Sequence, residues 1–184
     1  GGASVKPYQP ANIWNEVSLN GGLKYKRDSG DKLYRRSIYT YWKRSAPIPN
    51  MLIFDAPTRE KCIIQRPVTN TPLQALVVLN DPQFVEAARL FASRILREGG
   101  KSNASKINYG FKVALSRNAT NSEVEILNEV LEKQLKSFND DKEKANKFLL
   151  VGEFKNEKVD KIQLAAWTVI AQILINMDET LTRN

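Results

Sequence analysis

The stretch Arg66-Pro67-Val68-Thr69-Asn70-Thr71-Pro72-Leu73-Gln74-Ala75-Leu76-Val77-Val78-Leu79-Asn80-Asp81-Pro82 holds two helix starts separated by one short apolar helix. Thr71 offers a hydroxyl cap, Pro72 suits the first helical position, and Gln74 stands three residues after the cap. Leu73, Leu76, Val77 and Leu79 make this helix apolar on most sides, which predicts burial. Asn80 ends it, and Asp81-Pro82 repeats the cap-then-proline start. Buried polar side chains need partners. Arg66, Asn70 and Gln74 are therefore expected to be buried and bonded to the aromatic segment upstream or to the Asp55–Glu60 loop. Capping and loop bracing is the plain reading of them.

Downstream the start signals keep repeating. Phe84, Val85, Ala88, Phe91, Ile95 and Leu96 fall at helical spacing in Pro82–Glu98, before Gly99-Gly100. A further helix is expected over Ala104–Ser116, with Ile107, Phe111, Ala114 and Leu115 inward. Thr120 and Glu123 form a capping box for a helix running to about Phe138. Asp140 with Glu143 should open a shorter one to about Val151. Asp160 and Gln163 should start the last, which carries Leu164, Trp167, Ile170, Ala171, Leu174 and Ile175. The fold class expected is mainly α: a helix bundle over 66–184 with short loops.

Upstream the pattern changes. Residues 1–9 read as a disordered lead-in, and Gly1 as the remnant of a tag on an excised piece of a longer chain. Pro10 opens a short helix in which Ile13, Trp14 and Val17 share a face. Residues 23–65 form an irregular basic and aromatic arm. Within it Ser37–Trp42 has strand composition, with Ile38 and Trp42 expected in the core. A helix over Tyr34–Lys43 is the alternative. Met51–Phe54 could pair back on the first strand, and Cys62-Ile63-Ile64 could be a third extended segment. The whole of 10–184 is expected to form one α-rich domain.

Composition narrows the chemistry. The 184 residues include one Cys and no His, and the net charge is +8. Without His, the commonest general base and the commonest transition-metal ligand are both missing. No soft-metal site, haem-attachment motif or glycine-rich phosphate loop is present, so no metal and no cofactor are expected; only oxygen ligation of an ion such as calcium fits the composition. No apolar run is long enough for a membrane span. Between Lys24 and Arg66 there are eleven basic and four acidic residues, a net +7.

That charge makes Arg35, Arg36, Lys43 and Arg44, interleaved with Tyr39 and Tyr41, the candidate anion- and ring-binding set. The plain alternative is a strand whose aromatics fill the core while the cationic tips reach solvent. Asp55, Arg59, Glu60 and Arg66 could pair across the loop as buried salt bridges, forming a structural polar cluster with Asn70, Thr71 and Gln74. Asp55 and Glu60 could otherwise share acid–base work. Cys62 lies between Lys61 and Arg66, which favours a thiolate, but it lacks a usual activating base and fits a buried small hydrophobe better.

Arg35 through Arg44, Phe54-Asp55-Ala56-Pro57, Asn70 through Leu76 and Leu79-Asn80-Asp81-Pro82 together resemble a known domain family. So do Ala114-Leu115-Ser116-Arg117 before Thr120 and Glu123, and Trp167 through Glu179. The family is the PSD-type C-terminal domain of unknown function from planctomycete cytochrome c-like surface proteins. The resemblance implies an exported parent, at the periplasm or cell surface, in bacteria that degrade sulfated polysaccharides. It implies no catalytic residues. Three roles follow as expectations. The first is a non-catalytic interaction domain packing on other domains of the parent chain. The second is a module for an anionic, sulfated glycan. The third is a hydrolase or redox domain using Asp55, Glu60 or Cys62. The charge suits nucleic acid equally, but an exported parent argues against that partner.

Overall fold

A computed structural model describes residues 2–17, 24–154 and 159–182. Among these the protein is mainly α, with one isolated parallel bridge between Val5 and Thr40. The helices are α1 (Ile13–Glu16), α2 (Pro49–Ile53), α3 (Pro72–Asn80), α4 (Pro82–Glu98) and α5 (Asn103–Leu115). They continue with α6 (Asn121–Asp140), α7 (Lys142–Leu149), α8 (Lys161–Ile175) and α9 (Asp178–Leu181). Two 3-10 turns, Gly30–Tyr34 and Ser37–Tyr39, lie between α1 and α2. The chain divides into two compact units, Gly1–Gln74 and Ala75–Asn184.

The second unit is a bundle around α8. This helix is apolar on nearly every face and packs against α4, α5, α6, α7 and α9. Leu164, Trp167, Ile170, Ala171 and Leu174 are fully enclosed there with Ile95, Ile107, Phe111 and Leu131. An all-round apolar helix is stable only at the centre of such a bundle. Gly110 lets α5 approach closely, since a Cβ there would stand 2.7 Å from Leu174 Cδ1. Side-chain caps fix the starts. Asp81 accepts from the Gln83 N–H, Ser102 from Ser105, Asp141 from Lys144 and Asp160 from Gln163. Thr120 and Glu123 make a full capping box. The α7 cap is Asp141 rather than Asp140, which is the last residue of α6. Helix α9, which the sequence reading did not anticipate, has no side-chain cap at its start, and Thr180 within it donates its hydroxyl to the Leu174 carbonyl at 2.7 Å.

The first unit corrects several expectations. Residues 2–9 are an ordered strap: the Val5 N–H donates to Tyr39 O at 2.9 Å and the Tyr41 N–H to Val5 O at 2.8 Å. Val5 and Tyr8 are buried. Ser37–Trp42 is neither a strand nor a helix. The Tyr39 and Thr40 amides bond back three residues, to Arg36 and Ser37, which curls the segment into a 3-10 turn. The curl turns Ile38 outward, 77% exposed, against the core position expected for it. Met51–Phe54 does not pair as a strand, because Pro49 begins a helical turn there. Residues 62–64 are irregular and exposed, including Cys62.

Helix α3 is the largest departure. Its sequence is apolar on most sides, yet Leu73 and Leu76 are 60% and 55% exposed and Leu79 is exposed as well. Spacing by three places these leucines on one face, opposite buried Gln74 and Val78.

Candidate functional site

The polar cluster of the first unit is built on the end of a helix. Helix α2 is short, and its end is closed partly by the chain that follows, with the Phe54, Ala56 and Asp55 N–H groups donating back to Asn50, Met51 and Leu52. Gln74 Nε2 donates to the Ile53 carbonyl at 2.9 Å and to Thr69 Oγ1 at 3.0 Å. Its Oε1 accepts from the Thr71 N–H at 2.8 Å, while the Gln74 N–H bonds back to Thr71 Oγ1. Arg66 donates to the Phe54 and Asp55 carbonyls, each at 3.1 Å. Asp55 sits at φ 59 and accepts from both the N–H and the hydroxyl of Thr69. The left-handed backbone is tolerable at Asp. A cation and an amide thus close a helix C-terminus, where positive charge is favoured.

Burial in this cluster is uneven. Gln74 is 1% exposed, whereas Arg66 and Asn70 lie at the surface, contrary to expectation. Arg66 serves backbone carbonyls, so it needs no deep pocket. The expected carboxylate–guanidinium pairing among Asp55, Arg59, Glu60 and Arg66 is replaced by other contacts. Asp55 takes Thr69, Arg59 lies 4.8 Å over the Trp42 ring, and Glu60 is exposed. Cys62 is exposed rather than buried.

The basic–aromatic set is split between two places. Arg35 stacks on Tyr39 at 4.5 Å and donates to the Ala3 carbonyl at 3.0 Å, fastening the strap. Tyr41 belongs to a second group, around Trp14. The Trp14 ring meets Tyr25 at 5.3 Å and Tyr41 at 5.8 Å. Lys43 Nζ lies 4.6 Å over Trp14, and Lys6 Nζ lies 5.5 Å from Trp14 and 5.4 Å from Tyr41. Tyr25 donates to the Pro7 carbonyl at 2.6 Å. Burial pushes its phenol up to about 12, with Asp28 adding to the rise and Arg27 opposing it. Arg36 and Arg44 are exposed. One face of both Tyr39 and Tyr41 is therefore already covered by the protein's own cations.

On α4 the second unit holds two buried charged groups that the sequence did not single out. Glu86 and Arg89 are buried on α4. The Phe154 N–H donates to Glu86 at 2.7 Å, and Arg89 donates to the Phe154 carbonyl. Nothing in a helical pattern distinguishes two charged residues that reach a loop 65 and 68 positions away. Arg117 joins three elements by ion pairs to Glu123 and Glu179, each at 2.8 Å. Its hydrogen bonds, with the Thr120 backbone second, pull Glu123 down to about 2. Among the described residues no three acidic or Cys side chains gather as a metal site would need, and no helix is long and apolar enough to cross a membrane.

A family model described as PSD1, protein of unknown function (DUF1553), matches residues 1–131. The chain belongs to the PSD1 family. The match takes in the whole first unit and reaches Leu131 in α6. No curated protein and no solved structure matches the chain. The PSD1 match therefore includes the α2 latch, the Trp14 group and the outward leucines of α3.

Proposed function

We propose that this PSD1 chain is a non-catalytic interaction domain whose docking face is the outer side of α3. The carrying observation is the exposure of Leu73, Leu76 and Leu79 along one face of α3. Apolar groups concentrated at a surface mark contacts with another protein body. Ile64 and Val68, just upstream, are exposed too. The partner we infer is another domain of the same parent chain. The resemblance to the C-terminal domains of planctomycete cytochrome c-like surface proteins supports this, and with it an exported location. Docking is preferred over the hydrolase or redox alternative because Asp55 is taken up by Thr69 while Glu60 and Cys62 lie exposed.

A second reading has its own support. The first unit carries twelve basic and five acidic residues, a net +7, whereas the remainder carries +1. Such a field draws anions and is sensitive to salt. The exposed Arg36 and Arg44 would make the ionic contacts to a sulfated glycan. Hydrogen exchange separates the readings. Addition of the rest of the parent protein should protect the α3 amides, and protection of residues 35–44 by a heparin-like glycan would favour the second.

A further inference from the structure

We infer a binding site for a divalent oxyanion, of the sulfate or phosphate type, where Lys6 lies over Trp14 and Tyr41 and Lys43 lies over Trp14. The inference is independent of the docking face on α3. Two ammonium groups hang on one indole ring, at 5.5 and 4.6 Å. Lys43 Nζ is closed off from solvent and has no hydrogen-bond partner among the described residues. Among the described residues, neither lysine forms an ion pair with a carboxylate. The acid closest in the strap's own network, Asp28, accepts from the Lys6 backbone N–H at 2.8 Å. Residues 18–23, which follow α1, contain no acidic residue at all.

The ring explains only part of this arrangement. A cation over Trp gains from the ring's negative face, but a second cation on the same ring repels the first. Burying an ammonium without an acceptor is costly. A doubly charged anion would balance both ammoniums and supply acceptors to each. Tyr41 is 42% exposed and Lys6 is half-buried, so an anion would enter on the Tyr41 side at Lys6. It would reach Lys43 Nζ, which is closed off from solvent, by an outward movement of that side chain. Arg35 and Arg36 take no part, because Arg35 is held by Tyr39 and Ala3.

The test is thermal melting of the full chain in sodium sulfate, sodium phosphate or methyl sulfate, against sodium chloride at matched ionic strength. Sulfate also stabilises proteins without binding, by exclusion, and that effect does not saturate. The wild type should show an additional saturable rise of about 3 °C with sulfate and phosphate. Methyl sulfate, with one charge, should give a smaller rise; an equal one would overturn the requirement for a divalent anion. Lys6→Met, which keeps the stem at a half-buried position, should lose the saturable part, as should Lys43→Met. Arg35→Ala/Arg36→Ala should keep it. If Lys43→Met fails to fold, Lys6→Met decides, with Trp fluorescence titrated by sulfate as a second readout. A saturable rise that survives Lys6→Met, or none in the wild type, overturns the site.

Discussion

Gln74 Nε2 donates to the carbonyl of Ile53 at 2.9 Å, joining the start of α3 to the end of α2 across 21 residues of chain. The same side chain satisfies the Thr71 N–H and Thr69 Oγ1. Gln74→Ala would strand these groups in a site that is 1% exposed. A loss of about 2–4 kcal/mol is expected. Chemical denaturation followed by circular dichroism measures it, and a loss below about 1 kcal/mol would mean the latch is dispensable.

Arg66 should behave differently. It reaches the same helix end, but from the surface, where water can replace it. Arg66→Ala is expected to cost under about 1 kcal/mol. Denaturation beside Gln74→Ala ranks the two, and a larger loss for Arg66 would contradict the burial argument.

The Arg117 junction predicts a pH dependence. Glu123 has its folded pKa pulled from 4.5 to about 2, by Arg117 first and by the Thr120 backbone second. A carboxylate with a depressed folded pKa stabilises fully above the unfolded value and loses that contribution as pH falls through the folded one. Stability should therefore decline from about pH 4.5 to about pH 2. Glu179, also held low by Arg117, shifts in the same direction. Melting of Glu123→Gln across this window should show a flatter slope than the wild type. Parallel curves would remove Glu123 from the account.

Gly152 supports the buried Glu86. Its φ is +89, and a Cβ would stand 2.5 Å from the Glu86 carboxylate that holds the Phe154 N–H. Gly152→Ala combines backbone strain with displacement of a buried charge, and about 2–4 kcal/mol of destabilisation is expected. Thermal melting checks this; a neutral substitution would show that the loop relocates freely.

Which parts were legible in the sequence follows from how each is held. The α4, α6 and α8 starts rest on caps within three residues, so Asp81-Pro82, Thr120–Glu123 and Asp160–Gln163 announce them locally. The first unit is held by side chains meeting distant backbone: Arg35 to Ala3, Tyr25 to Pro7, Arg66 to Asp55. Such bonds leave no periodicity, so the strap read as disorder and the 3-10 turn as a strand. The polar cluster was visible as a set of residue types, but its acceptors are carbonyls, which no side-chain pattern reveals. Helix α3 misled for another reason. An apolar helix predicts something to cover it, and the leucines on its outer face are exposed in this chain.

The central claim is that those leucines dock another part of the parent protein. Calorimetric titration of the remaining portion of that protein into this chain tests it most directly, with Leu73→Glu/Leu76→Glu as the variant. The wild type should bind, and the variant should bind at least about tenfold more weakly, roughly 1.4 kcal/mol. Its melting temperature should be unchanged, since both side chains are exposed. Equal affinity for the two, or no binding by the wild type, would contradict the claim.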